Sequence, residues 1–243
     1  MQSIFKRHEK KYLVTKEQAE LLQDVIMQHA EIDQYGEYLV QNLYYDTANW
    51  DIIQKSIKKP LYKEKLRLRF YGHYDPESQG FLELKKKYNG IVYKRRIAFK
   101  LGELNGLNAR EIASALDSQI SREIRFFLQS NHVSEKVHIA YKRTAYSGIK
   151  DRDLRITFDR DIFFRLSPLG NYSFAEYNPD ADRQILGQNQ MLMEIKISGA
   201  MPLWLSHALS ENKIFSVSFS KFGNCYTKHI INQQSLKEEK NAA

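Results

Sequence analysis

Lysine and arginine recur at every second position in two stretches of the chain, over residues 62–70 and 80–88. The alternating polar residues are Lys63, Lys65, Arg67 and Arg69 in the first stretch, and Glu83, Lys85 and Lys87 in the second. Residues two apart share a face of a β-strand, so each stretch has its cations on one side and its leucines on the other. Arginine forms bidentate contacts with phosphate oxygens, and lysine supplies a mobile point charge. The spacing therefore predicts strand faces that bind a polyanion.

Charged residues follow the same spacing in further stretches. They include Glu9 and Lys11, Lys94 and Arg96, Arg155, Thr157 and Asp159, and Glu194 and Lys196. The acids in this set each lie two or four residues from a base on the same face. One interpretation is ion pairing that relieves repulsion, especially for Glu9 and Glu83. The other is binding of Mg²⁺ or Mn²⁺, which take one or two carboxylates together with phosphate oxygens. Glu194, in the strand-like segment MLMEIKI, is our first choice of metal ligand.

A sheet with one solvated face is an alternative explanation of the alternation. A solvated face normally mixes charge signs, because like charges opposite one another on paired strands are destabilising. The stretches at 62–70, 80–88 and 91–100 follow one another through turns and are expected to pair, yet all three carry mostly cations. We therefore expect the polar faces to line an enclosed space whose normal occupant is multiply phosphorylated.

The elements that must position these residues are mainly strands. Strands are predicted over 4–15, 38–47, 62–74, 80–88, 91–100, 133–146, 153–166 and 186–198. Helices are predicted over 16–29, 48–57, 102–130 with a break near Asp117 and Ser118, 202–211 and 221–232. Asn89-Gly90 is typical of a tight hairpin. Strands spread along the whole chain favour an α+β fold, with one mainly antiparallel sheet system and helices packed outside. We predict a single domain over 4–232 and a frayed tail over 233–243.

Composition narrows the class of protein. The chain has 243 residues, a net charge of +8 and one cysteine. The charge permits nucleic acid, anionic lipid or a phosphorylated molecule as partner. No apolar run is long enough for a membrane-spanning helix, and no signal peptide is evident, so we expect a cytoplasmic protein without a membrane span. Neither a zinc-type spacing nor a glycine-rich phosphate loop is present. Nucleic acid is not expected, because the cations line strand faces without evident aromatic platforms.

Short motifs resemble those of one known family and occur in its order. They are R-x-E-x-K-Y at 7–12, YYDT at 44–47, R-x-R at 67–69, ELKKK at 83–87, YKRR at 93–96, YKRTAY at 141–146, RITFD at 155–159, MEIK at 193–196 and SKF at 220–222. Together they resemble the VTC (vacuolar transporter chaperone) polyphosphate polymerase domain in its stand-alone bacterial form. This domain belongs to the CYTH-like triphosphate tunnel metalloenzymes.

The resemblance implies an antiparallel eight-stranded tunnel barrel with basic walls. It implies an enzyme, an ATP-polyphosphate phosphotransferase, that moves the ATP γ-phosphate to a polyphosphate chain with Mn²⁺ or Mg²⁺. Residues carried over as catalytic are Lys11, Arg67, Arg69, Lys85, Arg143 and Arg155; those carried over as phosphate-binding are Lys87, Lys94, Arg96, Lys196 and Lys221. Glu194 is implied as the metal ligand, with Glu9 and Glu83 as weaker choices. ATP and polyphosphate or triphosphate are the expected partners, and a membrane-protein partner is left open.

One departure from the wider superfamily bears on the reaction. Its opening motif E-x-E-x-K here reads Arg7-His8-Glu9-Lys10-Lys11, so arginine stands at the first glutamate. A hydrolase that positions water with several carboxylates is less well supported than a polymerase, which depends on phosphate binding. Hydrolysis of triphosphate or a nucleoside triphosphate remains an alternative. A module that binds polyphosphate or inositol phosphate without turnover is another.

Overall fold

The computed structural model describes residues 8–89, 91–104, 109–166 and 182–231. Its strands are β1 (His8–Thr15), β2 (Ala30–Asp46), β3 (Tyr62–Tyr71), β4 (Gln79–Tyr88), β5 (Ile91–Lys100), β6 (Ser134–Gly148), β7 (Arg155–Leu166), β8 (Arg183–Gln184), β9 (Gln190–Ile197) and β10 (Ser216–Val217). Its α-helices are α1 (Lys16–Ile26), α2 (Asp51–Ile57), α3 (Ala109–Ala115), α4 (Gln119–Asn131), α5 (Leu203–Glu211) and α6 (Lys221–Cys225). A 3₁₀ turn at Leu101–Leu104 precedes α3, and a π-helix at Tyr226–Ile231 follows α6.

The predicted α+β class and antiparallel pairing are confirmed, but the strand count was wrong. Ten strands lie within the described residues, where eight were expected. The two additional strands, β8 and β10, are two residues long, too short to show an alternating pattern. The predicted break between the helices near Ser118 is confirmed, because Ser118 accepts a hydrogen bond from the Ser121 backbone N–H at the start of α4. Residues 4–7, Gly90 and the predicted tail lie outside the described residues.

The chain divides into two compact units, each assembled from separated segments. Unit one contains the described residues within Met1–Leu39, Tyr141–Ile162 and Leu186–Phe219. Unit two contains those within Val40–Ala140, Phe163–Ile185 and Ser220–Ala243. The single domain over 4–232 stays a prediction.

Unit one holds strands in the hydrogen-bonded order β10-β1-β9-β7-β6. β1 pairs antiparallel with β9, and β9 pairs antiparallel with β7. The apolar sides of these strands form a core with α1 and α5 that includes Tyr12, Ile156, Met193, Leu22 and Leu205. The helix α1 begins in a capping box, in which Thr15 and Gln18 each accept a hydrogen bond from the other's backbone N–H. The opposite side of the strands carries the charged residues.

Unit two holds the order β6-β2-β3-β4-β5, and β2, β3, β4 and β5 pair antiparallel in sequence. The alternating leucines of β3 and β4, including Leu66 and Leu84, are fully buried under α3 and α4. Helix residues Ile112, Ile124 and Phe127 belong to the same core. We call this side of β3, β4 and β5 the helix-covered face. Its burial fixes the register, because a slip of one residue would bury the lysines instead.

This core predicts a strong contrast between two leucines. Leu84→Ala removes a fully buried side chain and should lower the free energy of unfolding by about 2–5 kcal/mol, through lost burial and a residual cavity. Leu203→Ala, at a leucine that is 76 % exposed, should change it by less than about 0.5 kcal/mol. Urea unfolding of both variants measures the difference. Equal losses would contradict the burial of the β4 leucines.

Candidate functional site

The polar side of β3, β4 and β5 brings seven of the sequence's cations into rows. In the first row, Lys63 on β3 lies opposite Lys87 on β4. In the second row, Lys85 on β4 lies between Lys65 on β3 and Lys94 on β5. In the third row, Glu83 on β4 lies between Arg67 on β3 and Arg96 on β5. We call these seven lysines and arginines the cationic face. The register also shows that Lys94 and Arg96 of β5 join this face, with Val92 opposite Lys87.

Glu83 is the acid within these rows, and its carboxylate is almost fully buried among cations. Its Oε2 accepts from Arg67 Nε at 2.8 Å and Nη2 at 2.7 Å. Its Oε1 accepts from Lys94 Nζ and Arg96 Nε, each at 2.7 Å. Burial raises the pKa of Glu83, but Arg67, Arg69 and Lys94 outweigh burial and hold that pKa well below its usual value. This geometry favours ion pairing over metal binding for Glu83.

Two lysines of the cationic face have a lowered pKa, chiefly because they are partly buried and to a smaller degree because of neighbouring cations. Burial first, and then Lys87 and Lys59, lower the pKa of Lys63, whose ammonium donates to the Ser56 carbonyl at 3.2 Å. Burial also lowers the pKa of Lys94; Glu83 opposes this, while Arg96 and Arg67 add to it. A bound anion would offset both the burial and the neighbouring positive charges, because an opposite charge favours the charged form of lysine.

Arg69 differs from the other predicted cations of β3. Its side chain is buried, and its Nε donates to the Asn42 side-chain oxygen at 2.8 Å. Asn42 in turn donates to the Ile139 carbonyl at 3.2 Å. Removal of Arg69 would leave a buried amide oxygen short of a donor, so this residue has a structural role beside the predicted catalytic one.

The SKF segment lies beside the same face. Ser220 begins α6, and Lys65 donates to its hydroxyl at 3.4 Å. Phe222 stacks on Tyr44 with ring centroids 4.8 Å apart, and the Tyr44 hydroxyl accepts from Arg67 at 3.3 Å. Lys221, which was predicted to bind phosphate, is the first residue of α6 and is half-buried. Tyr44 is thus buried against Phe222 and holds Arg67 in place.

A second polar cluster lies in unit one, on β1, β9 and β7. In one row Lys11 lies opposite Glu194, which lies opposite Thr157. In the next row Glu9 lies opposite Lys196, which lies opposite Arg155. We call these six residues the unit-one cluster. Arg155 is at its margin, because its guanidinium is half exposed and lies 3.7 Å from Asp33.

Glu194 is the most buried acid of the unit-one cluster. Its carboxylate forms ion pairs with Lys196 and with Lys11, whose Nζ lies 3.7 Å from Glu194 Oε2. Lys11 also pairs with Glu9 at 3.1 Å and donates to the Phe219 carbonyl at 3.1 Å. The structure thus places the predicted metal ligand Glu194 beside Lys11 and Lys196, and the roles of these three residues remain predictions.

Arg143 is held by a buried acid next to this cluster. Its Nε and Nη2 donate to the two oxygens of Asp159 at 2.6 and 2.8 Å, a bidentate pair. Burial lowers the pKa of Arg143, but Tyr141, Asp159 and Glu194 outweigh it and raise that pKa above its usual value. The pair fixes the direction of the guanidinium, and Asp159 is a positioning residue for it.

The metal prediction can be tested on the donors present. Within the described ranges, no three His, Cys, Asp or Glu side chains are grouped to hold a metal ion. A cage built from protein alone is therefore not formed by these residues. Glu194, with the Thr157 oxygen opposite it, matches the other mode, in which Mg²⁺ or Mn²⁺ takes few protein oxygens and several from phosphate.

Sequence reasoning gave two residues no individual role. Lys65 was placed on the polar face by its spacing but was not among the residues carried over from the resemblance, although it lies in the row of Lys85 and Lys94. Thr157 was noted only as part of a polar face. Its hydroxyl is buried and has no hydrogen-bond partner among the described residues, a property that depends on how neighbouring strands pack.

In the part of the chain that is described, no helix is long and apolar enough to cross a membrane.

Comparisons with solved structures show a shared fold at low identity. A Hippeastrum protein, assigned as an adenylyl cyclase and described as having a dominant triphosphatase activity, is 18 % identical, with 88 % of this chain and 92 % of that chain covered and a TM-score of 0.50. A Bacillus halodurans protein assigned as an adenylate cyclase is 16 % identical, with coverages of 87 % and 92 % and a TM-score of 0.49. No curated protein matches the chain.

The family follows from a match to the sequence itself. The model of the VTC domain matches residues 6–230, which includes both polar clusters and all the motifs from Glu9 to Phe222. The likeness to the Hippeastrum structure agrees with the fold that those motifs imply. The chain belongs to the VTC domain family.

Proposed function

We propose that this chain is a polyphosphate polymerase-like phosphotransferase, which moves the γ-phosphate of ATP to a polyphosphate chain with Mn²⁺ or Mg²⁺. One observation carries the proposal. Lysines and arginines lie directly opposite one another on three paired strands, in rows that contain one acid. Rows of this kind are costly unless an anion with several charges binds them.

The arrangement suits a chain of phosphates better than a single one. Rows on antiparallel strands are roughly 7 Å apart along each strand, since residues two apart are separated by two steps of about 3.3 Å. Neighbouring phosphorus atoms share one bridging oxygen and are much closer together than this, so successive rows of the cationic face can contact phosphate groups that are two or more positions apart along one chain. Arg67 and Arg96 offer paired donors, and the lysines adapt to the position of each group.

Such a site needs little covalent chemistry of its own. A terminal oxygen of polyphosphate attacks the γ-phosphorus, the bond from that phosphorus to the β–γ bridging oxygen breaks, and ADP leaves with the electron pair. The attacking oxygen is already anionic, so no general base is required. Lysines and arginines neutralise the three phosphoryl oxygens and align the attacking and leaving oxygens. A bound Mn²⁺ or Mg²⁺, held by Glu194 and phosphate, would supply further charge neutralisation.

Transfer is favoured over hydrolysis by the distribution of acids. A hydrolase must orient and deprotonate water, commonly with carboxylates. In the described ranges the acids of both clusters are engaged by cations: Glu83 by Arg67, Lys94 and Arg96, and Glu194 by Lys11 and Lys196. Acids that are paired with cations, or that bind a metal ion as proposed for Glu194, are poorly placed to accept a proton from water.

The function is tested by following phosphate from ATP. Purified protein with ATP labelled at the γ-phosphate and Mn²⁺ should yield ADP and label in long polyphosphate on a gel. If the label is released only as orthophosphate, the protein is a hydrolase and the polymerase proposal is wrong. If the protein binds ATP tightly but forms no product, it is a binding module without catalytic activity.

Two adjacent arginines provide a matched test of the cationic face. Arg96 lies on it, whereas Arg95 lies on the helix-covered face, 3.4 Å from Glu123 of α4. Arg96→Ala should weaken tripolyphosphate binding by roughly tenfold to a hundredfold, the loss of one charged contact of about 1.5–3 kcal/mol. Arg95→Ala should leave it within about threefold of wild type. Isothermal titration at fixed ionic strength measures both.

The comparison of the Arg96→Ala and Arg95→Ala variants also detects non-specific attraction of tripolyphosphate by the protein's net charge. If both variants lose affinity equally, net charge rather than the cationic face binds tripolyphosphate. If neither loses affinity, the phosphate site lies elsewhere. If both variants unfold at the same Tm as wild type, a loss of tripolyphosphate affinity is not caused by misfolding.

Glu83→Gln tests the repulsion within the cationic face. The change leaves Arg67, Lys94 and Arg96 without their anion, and these side chains are 23–44 % exposed, so we expect a loss of about 1–3 kcal/mol in unfolding free energy at pH 7. Because the pKa of Glu83 is depressed, its contribution is complete above the ordinary value of 4.5 and is lost as pH falls through the folded value. The difference between wild type and variant should therefore shrink in acid.

Tripolyphosphate should stabilise the Glu83→Gln variant more than wild type, because it replaces the missing anion and no longer meets the carboxylate. Thermal unfolding with and without tripolyphosphate measures this difference. An equal or smaller shift in the variant would show that phosphate does not reach Glu83's partners.

A further inference from the structure

The Thr157 hydroxyl on β7 has no hydrogen-bond partner among the described residues. The residue is 2 % exposed. Among the buried side-chain oxygen and nitrogen atoms of the described residues, its Oγ1 is the one that lacks a hydrogen-bond partner. Buried polar groups are nearly always paired, and an exception in a native protein indicates strain, a bound water or ion, or a functional role. Valine has almost the same shape as threonine and would bury no unpaired hydroxyl at this position.

The position of Thr157 indicates what the hydroxyl faces. Its Cα partner on β9 is Glu194, whose own partner on the far side is Lys11. Directly opposite residues have Cβ atoms about 4.5–5.5 Å apart, so the Thr157 hydroxyl and the Glu194 carboxylate lie side by side on one face of the sheet. Asp159, two residues along the same face, is occupied by Arg143.

The chemistry of this pair selects a cation over an anion. A hydroxyl oxygen and a carboxylate are both ligands of hard divalent cations, and a carboxylate repels phosphate. Serine or threonine hydroxyls serve on Mg²⁺ in other phosphoryl-transfer sites. A water molecule bound to the hydroxyl is the competing explanation, and it predicts the opposite effect on stability.

We propose that the Thr157 hydroxyl, together with Glu194, binds the divalent cation that accompanies the phosphate substrate. This inference rests on the proposed function and adds a residue to it. Lys11 and Lys196 pair with Glu194. In the proposed site, phosphate oxygens offer these lysines other partners, and the cation takes their place at the carboxylate. Cation binding therefore depends on bound triphosphate.

The test uses Thr157→Val in the full chain and thermal unfolding as the readout. Without ligand, Tm should rise by about 2–4 °C, since an unsatisfied buried hydroxyl is replaced by a methyl group of the same shape. Tripolyphosphate in EDTA should raise Tm of wild type and variant alike. Replacing EDTA with Mn²⁺ should add a further shift in wild type that is absent in the variant.

Two control variants separate the hydroxyl from its packing. Thr157→Ser keeps an oxygen and should retain the Mn²⁺-dependent shift, even if lost packing lowers Tm. Thr227→Val removes a hydroxyl that donates to the Gly223 carbonyl at 2.9 Å. This second change should not raise Tm and should leave the Mn²⁺-dependent shift intact.

The inference fails if Thr157→Val lowers Tm, because the hydroxyl is then satisfied by water. It also fails if wild type shows no Mn²⁺-dependent shift, or if the variant keeps it. The assay for polymer is independent of these outcomes. An Mn²⁺-dependent shift that the valine variant loses, in a protein that makes no polyphosphate, supports the cation site and rejects the polymerase.

Discussion

Repulsion between cations on neighbouring strands is the constraint on which this structure depends. Lys65, Lys85 and Lys94 share one row, and Lys63 and Lys87 share the next. Nothing in the pairing of backbone groups favours such rows. They persist because the reverse side of the same strands buries Leu66, Leu84 and their neighbours under two helices, at roughly 1.5–3 kcal/mol for each fully buried side chain. The core thus holds in place charges that would separate if the strands were free.

Each acid among these cations has a distinct task. Glu83 is nearly sealed by Arg67, Lys94 and Arg96 and serves as an internal counter-ion. Asp159 grips Arg143 through both oxygens and sets its direction. Glu194 pairs with two lysines, Lys11 and Lys196. The two clusters therefore differ in their ion pairs: two arginines and a lysine surround Glu83, whereas lysines alone pair with Glu194.

The strands and their faces were readable from the sequence because burial on one side imposes a period of two. The eight predicted strands all exist, although β2 begins at Ala30, eight residues earlier than expected. The residues after 225 continue as a π-helix, which leaves no periodic signature. The stretches at 62–70, 80–88 and 91–100 were expected to pair, but the register of the strands could not be predicted. The partners of Glu83 come from β3 and β5, and Thr157 lies opposite Glu194 on β9. Alternation identifies which residues share a face, whereas register decides which of them meet.

The hairpin of β4 and β5 has a consequence for how this chain can change in length. Arg95 and Arg96 are adjacent, yet one contacts α4 and the other reaches Glu83. Inserting a single residue into β5 ahead of this pair would exchange the two sides of everything beyond it and press Arg96 against the helices. Insertion of two residues would preserve the sides and only lengthen the rows. Viable insertions and deletions inside these strands should therefore come in even numbers, while odd ones are confined to the turns or absorbed by bulges.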